Sequence, residues 1–439
     1  MKVSKAALFG LALAWAVGAT SVYAAEQFIH ITSYNLGPYA AGGSGIGGGW
    51  TDYLQLINER DGGINGVKLV WESCETEYNT ARGVECYERL KNKHGGLTLF
   101  NPLSTGVAYA VIDRAPVDKM PIIMPGYGRS DASDGRVFPW VFPLITNFWS
   151  QSTAVVRFIG MKEGGLDKLK GKKFVNLHHD TPAGKETIPA LEAQAKMYGF
   201  QVTHLPVTHP GLDQQSQWLQ VRQINPDWVV MEGWGVMNSV ALKTAAKVGF
   251  PREKIIGWWW SGAEEDVVPA GDAARGYITA GFHGAGSDYP VIKEIQKYVV
   301  AKGKSDMKDK SRIGSIYYNR GVAMAFLAVE AIRTAQEKFG KGQRVTGEQI
   351  RWGIEHLEVN EKKLKALGVT GLVPPFKVTC ADHEGSGRVK FQQWDGKQWN
   401  IISDWVEADR ELVRRMVEES AQVYAKEKGI TLRDCSKES

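Results

Sequence analysis

Three consecutive tryptophans, Trp258, Trp259 and Trp260, stand directly after Ile255-Ile256, and Trp234 follows a second apolar run at 228–231. Indoles at two strand ends can wall a pocket for an apolar or aromatic molecule, since ring pairing adds about 0.5–1.5 kcal/mol beyond burial. Alternate residues at a strand end face opposite ways, so some of these rings fill the core and at least one of Trp259 and Trp260 is expected in the pocket. Ser104 and Thr105 follow another apolar run, 97–100. Their hydroxyls, with free N–H groups at a helix start, can hold an anion; Ser104 can equally be a plain N-cap. His178, His179 and Asp180 end a further run. His179 could touch an anionic or hydroxyl group, whereas a metal site is disfavoured because adjacent side chains diverge on extended backbone.

Covalent chemistry finds little support. No G-x-S-x-G elbow and no H-E-x-x-H occur, and the sequence pairs no nucleophile with a base. Gly43-Ser44-Gly45-Ile46-Gly47-Gly48 formally fits G-x-G-x-x-G, but nearly any glycine run does. No enzyme, no cofactor and no metal are therefore expected.

The elements that must position these residues alternate. Runs at 28–34, 67–71, 97–100 and 121–124 read as strands, separated by helical patterns at 50–59, 81–91 and 105–114. The glycine-rich 37–49 reads as a turn. The rhythm resumes with strands at 173–177, 201–205, 228–231 and 255–258 and helices at 188–198, 214–224 and 241–248. Strands separated by helices of about a dozen residues mean parallel sheets wound by right-handed crossovers. The Gly-, Pro- and aromatic-rich stretch 125–151 and the segment 277–286 read as connections between two lobes. A long helix at 318–339 follows, then a hairpin around Asp395-Gly396 and a charged surface helix at 407–428.

The chain has 439 residues, 43% hydrophobic and 23% charged, an ordinary globular composition. Its +5 charge is spread along the chain without a basic block, so nucleic acid is not an expected partner. A basic start with Lys2 and Lys5, an apolar stretch at 6–20 and Val22-Tyr23-Ala24 read as a signal peptide over 1–24, cut after Ala24 or, second choice, Ala25. Export places the mature protein in the periplasm, an oxidising compartment. Its four cysteines are expected to pair there as Cys74–Cys86 and Cys380–Cys435, since their spacings fit no common zinc pattern.

Several segments, in order, resemble a known family. Asn58-Glu59-Arg60-Asp61-Gly62-Gly63-Ile64-Asn65-Gly66 is similar to the end of the first helix in type I periplasmic binding proteins, the Leu/Ile/Val-type receptors of ABC importers. Asn101-Pro102-Leu103-Ser104-Thr105-Gly106 resembles their carboxylate-holding loop. Pro226-Asp227-Trp228-Val229-Val230 and Ala245-Ala246-Lys247-Val248-Gly249-Phe250 resemble a strand and helix end of the second lobe. Asp382-His383-Glu384-Gly385, 389–394 and Trp405 resemble the terminal hairpin.

The resemblance implies an α/β fold of two doubly wound parallel-sheet lobes joined by three crossovers, closing on a ligand by hinge motion. Lobe 1 would take 25–143 and 281–355, lobe 2 144–280 and 356–406, leaving 407–439 as a helical tail. Amino-acid receptors of the family place an acid where this chain has Trp259, and Glu264, Glu265 and Asp266 come several residues late. Trp259, Trp234, Trp260, Ser104, Thr105 and His179 are thus expected to bind a small aromatic or apolar carboxylate. Glu232, if it faces the cleft, would instead favour a branched-chain or aromatic amino acid. The implied partners are that ligand and the permease of an ABC importer, with the receptor a monomer; a sensing role is the alternative.

Overall fold

The computed structural model describes residues 25–437, so the leader expected over 1–24 lies outside the described residues. The first sheet starts with β1 (Glu26–Ser33) and β2 (Lys68–Glu75), parallel, with Phe28 opposite Val70. The run 97–100 adds to the other edge of β1, Thr98 N donating to Phe28 O at 3.0 Å. It continues to β3 (Ile122–Ile123), Phe100 N reaching Pro121 O at 2.8 Å. β4 (Val141–Phe142) pairs in parallel with β3. The stretch 125–151, expected only as a connection, therefore first returns a strand to this sheet.

The second sheet begins with β5 (Lys173–His179), β6 (Gln201–Val207), β7 (Trp228–Glu232), β8 (Ile255–Gly257) and β9 (Ile278–Gly281). A separate two-stranded ribbon follows, β10 (Glu358–Val359) with β11 (Phe376–Lys377). Next come β12 (Arg388–Trp394), β13 (Trp399–Ile401) and β14 (Val406–Glu407). The order across the sheet is β13-β12-β9-β8-β7-β5-β6, with β14 also on β12. The five strands β5 to β9 run parallel, and β12 lies antiparallel to β9, Phe391 opposite Ala280. The segment 277–286, read as a crossing, thus contributes a strand. The chain expected to enter the second lobe at 356 rejoins its sheet only at Arg388.

The glycine-rich 37–49 is not a turn. It opens the helix Ala40–Asp61, which packs along the buried helix Ile316–Phe339. Each glycine in a helix costs about 1 kcal/mol relative to alanine. Close packing overrides that cost: a Cβ on Gly49 would lie 1.9 Å from the Tyr318 carbonyl oxygen, and one on Gly321 2.0 Å from that of Ile46. Only side-chain-free backbone allows the two helices so near each other.

Both expected disulfides form, with Cα atoms 5.9 Å apart for Cys74–Cys86 and 5.7 Å for Cys380–Cys435. The helix Arg410–Lys428 is capped by Asp409, whose side chain accepts from Leu412 N. Rather than lying free on the surface, it buries Leu412, Val413, Val417, Ala421 and Tyr424. No helix among the described residues is long and apolar enough to cross a membrane.

Gly49→Ala is expected to cost about 1–3 kcal/mol through overpacking. Gly47→Ala is expected to be neutral or stabilising by up to about 1 kcal/mol, because nothing lies within 4 Å of its Cβ position. Urea denaturation of the two variants beside the native chain measures both.

Candidate ligand-binding site

The carboxyl ends of the parallel strands of both sheets converge on one cavity. From the first sheet come Tyr34 after β1, Tyr78 after β2, Leu103, Ser104 and Thr105 after the 97–100 run, and Tyr127 after β3. From the second come His179 at the end of β5, Ala183 after it, Trp234 after β7, and Trp258 and Trp260 after β8. Phe148, at the start of the helix Phe148–Glu163, completes the wall. Strand ends are where an open α/β sheet offers side chains and free backbone groups to a ligand.

Rings make up most of the lining. Trp234 meets Trp260 edge-on at 5.2 Å and Tyr34 edge-on at 6.0 Å, and stacks on Tyr39 at 6.0 Å. Trp258 stacks on Phe148 at 4.9 Å, and Tyr127 stands edge-on to Trp260 at 5.8 Å. These are the offset and T-shaped arrangements that aromatic quadrupoles prefer.

One end of the cavity is rich in hydroxyls. Ser104 caps the helix Thr105–Val111, its Oγ accepting from Val107 N at 3.4 Å, so its O–H is left to donate. Thr105 Oγ1 accepts from Gly128 N at 3.3 Å, which leaves the same capacity. The Tyr78 hydroxyl bonds Ser104. Leu103 sits at φ 48°, a strained conformation that its own N–H supports by donating to the Tyr127 hydroxyl at 2.8 Å. Tyr34 Oη and Trp234 Nε1 are buried with no partner in the protein.

The candidates from the sequence divide. Ser104, Thr105, Trp234, Trp260 and His179 share the cavity; Trp259 does not. Its ring is fully buried against Phe282, 5.2 Å edge-on, and its Nε1 donates to the Gly126 carbonyl at 2.6 Å. Of the tryptophans, the one missed is Trp258. β8 ends at Gly257 and a turn follows, Ser261 N donating to Trp258 O at 3.0 Å, so strand alternation no longer assigns faces there. His178 is also buried outside the cavity, its Nδ1 3.2 Å from the His179 carbonyl. Tyr34, Tyr78 and Tyr127 were missed as well; the structure sets each just past a strand end.

The acids turn away from the cavity. Glu232 is fully buried and accepts from the Thr187 hydroxyl, and burial pushes its carboxyl up to about 8. Asp266 accepts from Asn238 Nδ2 and from the Tyr317 hydroxyl, both at 2.8 Å, and burial raises it to about 7. Glu265 accepts from Arg312 Nε at 2.8 Å. Burial, helped by His209, holds His179 down at about 4, a neutral imidazole at pH 7.

Cross-lobe bonds hold the cleft shut. The Tyr39 hydroxyl lies 3.0 Å from His179 Nε2, and Ser130 Oγ donates to Glu186 at 2.7 Å. The Tyr317 hydroxyl lies 3.0 Å from Trp260 O, and the indoles of Trp259 and Trp260 share the Gly126 carbonyl.

A family model described as periplasmic binding protein matches residues 31–398. A solved structure from the Pseudomonas fluorescens group, described as an ABC transporter permease, shares 48% identity and a TM-score of 0.88, covering 93% of this chain and 99% of its own. A branched-chain amino acid ABC transporter from Thermus thermophilus with bound valine is 22% identical, with a TM-score of 0.74 over 90% of this chain and 99% of its own. A solute-binding protein of an R. palustris ABC transporter in complex with benzoate is 17% identical, with a TM-score of 0.67 over 87% of this chain and 97% of its own. No curated protein matches the chain. With a family model spanning most of its length and the fold built to match, the chain belongs to the periplasmic binding proteins, with the type I fold.

Proposed function

We propose that this chain captures a small aromatic or otherwise apolar carboxylate between its two lobes and presents it, closed, to the permease of an ABC importer. The observation carrying this reading is the cavity lining: eight aromatic rings and two aliphatic side chains, hydroxyls at one end, and no carboxylate. A ligand ammonium enclosed there would lack a counter-charge, which costs several kcal/mol. Glu232, the residue able to restore an amino-acid reading, faces Thr187 and is held neutral by burial. Ser104 and Thr105 would receive the carboxylate, and Trp234, Trp258 and Trp260 the apolar body. In this reading 25–143 and 281–355 form the first lobe, and the receptor acts as a monomer after removal of 1–24. Solved relatives carry valine in one case and benzoate in another, so the fold accommodates either ligand class.

A thermal-shift panel on ligand-stripped mature protein tests this. It would hold benzoate-type and phenylpropanoid acids, aliphatic acids, branched-chain and aromatic amino acids, and the corresponding amides. A true ligand at 100 times its Kd adds about 2.7 kcal/mol, a rise of a few degrees. Aromatic acids are expected to give that rise. A rise with amino acids alone overturns the reading.

Glu232→Gln separates the two readings by a second route. With a folded value of about 8 against 4.5 unfolded, native Glu232 is harmless below 4.5 and costs stability as pH climbs towards 8. The variant is expected to gain on the native chain over that window by at most about 1.4 kcal/mol per pH unit, read by urea melts, with acid binding unchanged. Lost ligand binding in this variant would place Glu232 in the site.

A further inference from the structure

We infer that Tyr34 and Trp234 form an anion cradle whose compensating charge is Arg320, one indole behind the cavity wall. The inference rests on the carboxylate reading and deepens it by naming the cation. Arg320 lies on the helix Ile316–Phe339 and is 1% exposed. Its Nε donates to His283 Nε2 at 2.9 Å and its Nη2 donates to the Trp259 carbonyl, both neutral acceptors. Its Nη1 is buried with no partner. The acids nearest to it in charge are already engaged, Asp266 by Asn238 and Tyr317, Glu265 by Arg312.

A buried charge is normally paired, because a guanidinium taken out of water is costly unless an opposite charge replaces the hydration. Here the guanidinium stacks 4.3 Å over the Trp260 ring, whose edge meets Trp234 and lines the cavity. The Tyr34 phenol feels the same charge. Tyr34 Oη and Trp234 Nε1 are both buried on cavity-lining side chains and both lack an acceptor. An acceptor placed in the cavity would satisfy the two donors and, if anionic, offset the charge behind Trp260. It would sit at the hydroxyl end, since Tyr34 stands 5.3 Å from Tyr78, which bonds Ser104.

The same arrangement links the anion to closure. Arg320 reaches from the first lobe to the carbonyl of Trp259 in the second, so shutting the cleft is what removes this cation from water. An anionic ligand offsets that desolvation and a neutral isostere does not. The site therefore prefers acids over amides of the same shape.

Calorimetric titration with benzoate and benzamide, 3-phenylpropionate and its amide, and hexanoate and its amide tests this on four proteins: native, Arg320→Gln, Arg320→Lys and Tyr34→Phe. The native chain is expected to bind at least one acid about tenfold or more tighter than its amide, the scale of a hydrogen bond to a charged group. R320Q loses that ratio and R320K keeps it. Y34F weakens the acid about tenfold with no loss of Tm in the ligand-free protein, since it deletes an unpartnered hydroxyl. A ratio that survives R320Q, or a native chain that favours no acid, overturns the inference. Aromatic acids and amides bound equally leave the aromatic pocket standing without the cradle. A ratio found only with hexanoate keeps the cradle and removes the aromatic reading.

Discussion

The close packing of two helices, backbone against backbone, is the constraint from which the rest of the site follows. Helix Ala40–Asp61 meets the Tyr34 carbonyl through Gly43, where a Cβ would come within 2.2 Å, and meets Tyr318 through Gly49. The end of β1 and the start of helix Ile316–Phe339 are thereby set at a fixed separation. Tyr34 emerges from one and Tyr317 and Arg320 from the other. Any side chain added at this seam would move all three, although neither Gly43 nor Gly49 lines the cavity.

The second lobe meets that frame with rings and neutral groups. Trp258, Trp259 and Trp260 leave β8 in three different directions: one onto Phe148, one into the core towards Phe282, one onto Trp234 and Tyr127. The buried acids Glu232 and Asp266 are pushed towards protonation and occupied by hydroxyls, so they add little negative charge around the ligand. The enclosed space is consequently apolar along its length and donor-rich at one end. That chemistry suits a carboxylate on a flat or branched body.

How much of this could be read from the residue string depended on periodicity. Strands β5, β6 and β7 and the helix Ile188–Tyr198 announced themselves through apolar spacing and caps, and the rule that ligands meet strand ends pointed to Ser104, Thr105, His179 and Trp234. Glycine misled, because local propensity says turn where tertiary packing says helix. At Trp258 to Trp260 the strand stops after three residues, and alternation could not choose between the rings. Arg320 left no mark: a cation in an otherwise apolar helical stretch reads as a solvated residue until the fold shows it 1% exposed.

The C-terminal helix is bound to both lobes at once. At its start Asp409 N donates to Thr153 Oγ1 at 3.0 Å and Val413 and Val417 pack on Trp149, while further along Ser420 Oγ donates to Asp131 at 2.8 Å. Tyr424 stacks on Phe138 at 4.7 Å, and beyond the helix Cys435 is tied to Cys380. Neither lobe can lose its structure without stripping a partner from this shared strap. The two lobes are thus joined into one cooperative unit, and a molecule that seals the cleft shields the entire chain, tail included, from local melting and from proteases that wait for it.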